Sequence, residues 1–411
     1  MIIEILSIIL LAVLLFWSIY NVSIIFTGIR SKRKSYPLNR QNNEFTKFSI
    51  IVPAKDEELV IRRCLDSLLN FDYPKDKVEV IVVDGNSHDS TVNICSEFSA
   101  KYPETFKLIA EQESHGKPAA LNLALRHATG DIIGVFDADS LPEKLTLQKV
   151  ASHFADPQVK AIQGRTTSLN ETRNILTKVI ALEEKSWFQI SLVGKEKLKL
   201  FVPLTGSCQF IRHSVLKELD GWDENSLTED VELAIRLVEK NYLIKYVPDV
   251  WSGQETPNTI GDLFKQRVRW YRGYMETTLK YGHLLEKLNR KTIDAEVSLS
   301  GPFMMVISLL SYFNWFFVAL FLSRDSLTID FTGLVIALTA VSLVSIGVAL
   351  SAFEKPLKLR NIIWIPSIYV YWLIQICIAG WAFLKLIFRR KKVWNKTIKK
   401  GVTSLDRKVD V

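Results

Sequence analysis

Cysteine is scarce in this 411-residue chain: Cys64, Cys95, Cys208 and Cys377 are the whole set, and their spacing is unpaired. A disulfide framework and a cysteine-based zinc site are therefore excluded, and a reducing compartment suits the chain. Internal repeats, low-complexity tracts and long linker-like segments are also lacking. The first apolar run has neither a basic leader nor a small-x-small cleavage site, so it reads as a retained anchor and not a cleaved signal. The excess of 52 Lys+Arg over 44 Asp+Glu largely flanks apolar runs, as in "RSKRK" and "FRRKKVWNKTIKK". Such charge faces lipid headgroups, which argues against a nucleic-acid partner.

What the sequence does have is apolar length. Residues 5–26, 303–322, 331–353 and 362–388 form four runs near or above the roughly 20 residues that cross a bilayer as a helix. The basic stretch "GIRSKRKSYPLNR" after the first run predicts a cytoplasmic middle region and an outside N-terminus. If all three later runs cross, the basic tail from Arg389 ends outside, against that rule. Either the rule fails here or one run is re-entrant or interfacial, and Pro366, Gln375 and Lys385 point to the last run as that exception.

Between the first two runs the pattern alternates. "FSIIVPA", "KVEVIVVD", "FKLIAE" and "DIIGVFD" read as strands, separated by helical-period segments such as "EELVIRRCLDSLL" and "KPAALNLALRHA". Alternation of this kind predicts an α/β domain with a mixed, mainly parallel sheet. Further on, residues 159–165 read as a strand, 172–192 as a helix and 200–212 as a hairpin-like stretch. A helix after "LTED" and a strand at "NYLIKYVPD" follow. Ligands of open sheets collect beyond the carboxyl ends of strands, and here those ends carry Asp56, Glu57 and Glu58, then Asp84, then Asp137 and Asp139.

Each feature has a specific chemistry. In extended geometry Asp137 and Asp139 of "FDADS" point to one side, and paired hard oxygens suit Mg²⁺ or Mn²⁺ shared with phosphates. Asp84 can accept from a base or ribose, while Asp89 is expected to cap the next helix. Lys117, opening a helix after Gly116, makes an anion site suited to a diphosphate. Glu229 and Asp230 open another helix with Thr228 as a possible cap; a carboxylate there can serve as a base. On a helix through "FKQRVRWYRG", Gln266, Arg269, Trp270 and Gly273 share one face, and Val268, Tyr271 and Arg272 point away. The first face suits phosphate and sugar, the second a membrane interface or bundle.

In this order, "VPAKDEE", "VVDGNSHDS", "HGKPAALN", "FDADS", "TGSC", "TED" and "QRVRW" resemble membrane-bound family 2 glycosyltransferases, among them cellulose, chitin, hyaluronan and poly-N-acetylglucosamine synthases. The resemblance implies a GT-A fold and inverting transfer from a nucleotide-diphosphate sugar, a UDP-sugar foremost. It implies Glu57 and Asp84 at the nucleoside, Lys117 at the diphosphate, Asp137 at the donor, and Asp139 on the metal with Asp137 beside it. It further implies Asp230 as general base next to Glu229. Gln266, Arg269 and Trp270 would close over the donor, with Trp270 and Cys208 along the acceptor path. The implied organisation is an anchor over 1–27, a cytoplasmic catalytic domain over 28–257 and interface helices over 258–299. A membrane region over 300–388 and a basic tail over 389–411 complete a multi-pass protein of the plasma membrane.

The chain carries Lys55-Asp56 where many members have Tyr-Asn. Its apolar runs are few for a monomer threading a polymer, which points to a homo-oligomer or an export partner. The expected acceptor is a growing β-linked polysaccharide. Single transfer to a lipid or lipid-linked oligosaccharide is the alternative, and a non-catalytic scaffold or a nucleotidyltransferase stands further off.

Overall fold

A computed structural model describes residues 2–31, 45–283, 289–321, 333, 334, 337, 364–391 and 399–401. The described strands are β1 (Phe48–Ala54), β2 (Val78–Asp84), β3 (Phe106–Ala110), β4 (Ile132–Val135), β5 (Leu141–Pro142), β6 (Val159–Ser168), β7 (Gln209–Arg212) and β8 (Leu243–Gln254). They form one sheet in the order β3-β2-β1-β4-β7-β6-β8-β5. The helices are α1 (Ile2–Arg30), α2 (Ile61–Leu69), α3 (Thr91–Lys101), α4 (Lys117–His127), α5 (Thr146–Phe154), α6 (Ile175–Ser186), α7 (Leu192–Lys197), α8 (His213–Glu218), α9 (Glu229–Glu239), α10 (Ile260–Tyr281), α11 (Arg290–Leu299), α12 (Gly301–Phe321) and α13 (Trp364–Ile387).

The sheet follows from its strands' composition. β1, β2 and β4 are short Val/Ile-rich runs buried on both faces, and all three pair in parallel. Alternate residues of β1 feed two cores: Ile51 joins Val83, Ile133 and Leu121 on one face, while Ile50 and Val52 join Val80, Phe136 and Phe210 on the other. Each such side chain contributes about 1.5–3 kcal/mol on burial. Helices α2 and α3, which lead from β1 through β2 to β3, pack on one face, whereas α4 packs on the other as the chain returns to place β4 on the far side of β1, and a crevice opens at the carboxyl ends where the order reverses.

Two expectations change here. Within 200–212 only Gln209–Arg212 is a strand, antiparallel to β4 and β6; the preceding "FVPLTGSC" is irregular chain that bends at 206–208, with positive φ at Gly206 and Cys208. The helix placed over 172–192 begins at Ile175, where Asn174 accepts from Thr177 N at 2.8 Å in a capping box. It then runs through a π turn, Trp187–Ser191, into α7.

Two described helices, Ile8–Arg30 and Pro366–Ile387, are long and apolar enough to cross a membrane, and α11 with α12, bent by 49°, would make a third if the pair is one span. The last apolar run is therefore one continuous helix, and Pro366 is accommodated in its first turn, where a missing N–H costs nothing. The run at 331–353 lies outside the described residues but for a few positions.

Polar pins fasten these helices to the sheet domain. Lys195 of α7 donates to Asp294 at 2.7 Å, to Ser298 at 2.7 Å and to Tyr20 of α1 at 2.9 Å. Arg267 of α10 pairs with Glu183 of α6, which also accepts from Tyr371 of α13 at 2.7 Å. Val268, Tyr271 and Met275 of α10 pack on Val306, Ile378, Ala379 and Ala382. Arg272 donates to the carbonyl of Arg390 at 2.6 Å, just past the end of α13. The face of α10 expected to point away is thus committed to the helix bundle.

Candidate active site

A cavity of about 620 Å³ opens at the carboxyl ends of β1, β2 and β4 and continues between α1, α12 and α13. Glu57, Lys117, Asp137, Asp139, Glu229, Asp230, Gln266, Arg269 and Trp270 all line it. Residues spread over more than two hundred positions meet there because the crevice gathers three strand ends, two helix starts and one face of α10.

β4 stops at Val135, so Asp137 and Asp139 lie in the turn beyond it. In place of convergence on one point, each carboxylate has its own lysine. Lys117 donates to Asp137 at 2.7 Å and to the Gly206 carbonyl at 2.9 Å, with Glu229 at 3.6 Å. Lys399, from the basic tail, reaches Asp139 at 2.6 Å and the Glu255 carbonyl at 2.8 Å, while Lys400 N donates to Glu255 Oε2 at 2.9 Å. Burial alone would lower both lysines, yet the surrounding carboxylates hold each above the ordinary range. Lys399 is the site residue that sequence reasoning missed. Its charge was read as lipid-facing, and nothing local indicates a contact across some 260 positions.

Asp230 starts α9 beside Glu229. Burial, reinforced by Glu229 and opposed by Lys117 and Arg269, pushes its carboxyl up to about 7. A base poised there ionises near neutral pH. Thr228 does not cap α9 through its side chain. That side chain lies against Gly273: a Cβ at 273 would sit 2.6 Å from Thr228 Cγ2. Gly273 thus permits close contact between α10 and the "TED" turn and does not face the cavity. Arg269 reinforces the contact by donating to the Leu227 carbonyl at 3.1 Å.

Two expected residues are not brought to the cavity. Asp84 is buried, and its carboxylate accepts from Ser87 N at 3.0 Å and from the Ser87 hydroxyl. Cys208 is buried with its Sγ against Gly164; of "TGSC" it is Thr205 and Gly206 that line the cavity. Asp89, expected to cap α3, lies one residue before the N-cap Ser90 and accepts from Thr91 N at 2.9 Å.

A divalent cation fits the donor set in part. Two carboxylates border the space and supply hard oxygens, and such ions complete their shell with substrate phosphates. No group of three His, Cys, Asp or Glu able to hold an ion occurs among the described residues. An ion on Asp139 would take the place of the Lys399 ammonium.

The fold and site define a membrane-associated glycosyltransferase of the GT-A class. Residues 46–273 match the model of "Glycosyltransferase like family 2", and the chain belongs to that family. It is similar to "Probable glycosyltransferase YdaM" of Bacillus subtilis, 34% identical over 283 residues that make up 67% of each chain. It is similar to a β-monoglucosyldiacylglycerol synthase of Synechocystis, 33% identical over 58% of this chain and 50% of that one. The chain thus spans about half the length of that relative. A poly-β-1,6-N-acetyl-D-glucosamine synthase of Staphylococcus epidermidis is 25% identical over 92% of both chains. Among solved structures, a mannosyltransferase from Pyrobaculum calidifontis in complex with GDP-Man and Mn²⁺ superposes with a TM-score of 0.62, 21% identity, and coverage of 95% of this chain and 100% of that one. That likeness is one of fold.

Proposed function

We propose that this protein transfers a sugar, with inversion, from a nucleotide-diphosphate donor of the UDP-sugar kind to a hydroxyl of a growing β-linked polysaccharide held at the membrane. The observation that carries this reading is the single cavity joining the lysine-and-carboxylate end to the membrane helices, with Asp230 and Trp270 between. Asp230 takes the proton from the acceptor hydroxyl as the oxygen attacks, and Glu229 keeps it basic enough to do so. Lys117, on the N-terminus of α4, and Arg269 on α10 both line the cavity and would meet the charge that gathers on the departing diphosphate. Trp270 offers an apolar face to a sugar ring. A Mg²⁺ or Mn²⁺ ion, held by Asp139 and Asp137, would add Lewis-acid stabilisation of the leaving group.

The near full-length likeness to a polysaccharide synthase supports the polymer reading. A second reading, one sugar added to a lipid, is favoured by Met304, Met305, Ile368 and Ile376 along the membrane end of the cavity. Membranes containing the chain, incubated with labelled UDP-sugars and chromatographed by size, separate them. A ladder of long products supports polymerisation, and a lipid carrying one added sugar rejects it. In this reading the catalytic domain and tail are cytoplasmic and the protein is a multi-pass protein of the plasma membrane.

A further inference from the structure

Of the two carboxylates expected at the nucleoside end of the cavity, Glu57 lines it, whereas Asp84 does not and accepts from Ser87. A further acid stands at these strand ends. β2 and β3 pair Asp84 with Ala110, so the next residues, Gly85 and Glu111, emerge opposite each other at the carboxyl ends; Glu111 N donates to the Asp84 carbonyl at 2.8 Å. Gly85 has no side chain to fill the gap. A Cβ there would lie 3.1 Å from Ser114 Oγ and 3.5 Å from both Glu111 Oε2 and the Ala54 carbonyl oxygen. A hydroxyl, a carboxylate and a carbonyl thus converge on one small space. Glu111, Gly85, Ser114 and Ala54 all line the cavity. Glu111 Oε2 is buried and makes no hydrogen bond among the described residues. An orphaned buried acceptor calls for a donor that arrives with a ligand.

We infer that Glu111 reads the donor's nucleobase, accepting the ring N–H of a uracil- or guanine-type edge in the slot that Gly85 leaves open. This rests on the reading of the donor as a nucleoside diphosphate sugar. Uracil N3–H is a donor between two carbonyls and guanine N1–H a donor beside one carbonyl, and the Ser114 hydroxyl can donate to the adjacent carbonyl oxygen. The matching ring nitrogens of cytosine and adenine present lone pairs, which a carboxylate repels. Discrimination therefore comes from an unmet acceptor and lone-pair repulsion as much as from attraction. Glu111→Gln keeps the shape but offers an amide that can satisfy either kind of edge.

The test uses the full chain in lipid nanodiscs and measures equilibrium binding of UDP, GDP, CDP, ADP and inorganic pyrophosphate. The wild type should bind UDP or GDP about tenfold or more tighter than CDP and ADP, the scale of one hydrogen bond to a charged acceptor. E111Q should compress that ratio to near unity with pyrophosphate binding unchanged. Gly85→Ala, which crowds the Ser114 hydroxyl, should weaken all the nucleotides and spare pyrophosphate. Unchanged ratios in E111Q, or a wild type that prefers CDP or ADP, overturn the inference. Loss of pyrophosphate binding in E111Q also overturns it, by making Glu111 a structural support. A wild type that binds pyrophosphate but none of the nucleotides removes both this inference and the proposed function.

Discussion

Replacing Asp230 by Asn should make the protein more stable and nearly inactive, with both effects depending on pH. Holding an Asp carboxyl, ordinarily near 3.8, up at about 7 costs the folded state about 4 kcal/mol once the group is ionised, at about 1.4 kcal/mol per pH unit. Between about pH 4 and pH 7 the native chain binds a proton that the unfolded chain has released. This residue's contribution is therefore fullest below pH 4 and is lost as pH rises through about 7. Asn carries no such charge, so D230N should gain about 1.5 kcal/mol at pH 5 and about 4 kcal/mol at pH 8. As a base Asp230 must be ionised, so wild-type kcat/KM should fall about tenfold per pH unit below 7, and D230N should lose about 10²–10⁴-fold. Thermal unfolding of both proteins at pH 5 and pH 8, beside a pH–rate profile of nucleotide release, reads all of this. Equal stability differences at the two pH values, or a D230N enzyme of normal rate, would refute the assignment of Asp230.

Trp270→Ala should reduce transfer while leaving the chain in the membrane fraction, because Val268, Tyr271 and Met275 hold α10 to the bundle; normal transfer would reduce this helix to a strap. Gly273→Ala forces a methyl into Thr228 and should cost about 1–3 kcal/mol of overpacking, along with activity, as seen in a lowered melting midpoint and rate. Lys399→Met leaves the buried Asp139 carboxylate without its cation, a change of about 3–5 kcal/mol. Added Mn²⁺ should raise the melting midpoint of that variant more than that of the wild type, and equal shifts would argue against an ion at Asp139. Lys195→Met strands Asp294 beneath α1 and should lower the melting midpoint by a similar mechanism without altering the pH–rate profile.

The strands were legible because doubly buried parallel strands must be short, continuous Val/Ile runs, and "FSIIVPA" and "VEVIVVD" cannot be mistaken for helix faces. The division of α10 was legible from its 3.6-residue period, except at Gly273, whose contact with Thr228 depends on how closely two elements approach, and at Tyr271, which packs on the bundle and also lines the cavity. "FVPLTGSC" misled because apolar sequence does not say whether a neighbour supplies a ladder. At Asp84 the strand-end carboxylate was visible, whereas its hydrogen bonds from Ser87 belong to a turn geometry that the strand pattern does not show. Lys399 was illegible because its partner is set by tertiary fold alone.

The central claim is most directly tested by incubating the purified, lipid-reconstituted chain with UDP-sugars and measuring free UDP together with newly formed glycosidic bonds. One UDP should appear per bond, in an amount abolished in D230N and strongly reduced in Asp137→Asn. Bond formation without UDP release, or undiminished transfer by both variants, would contradict it.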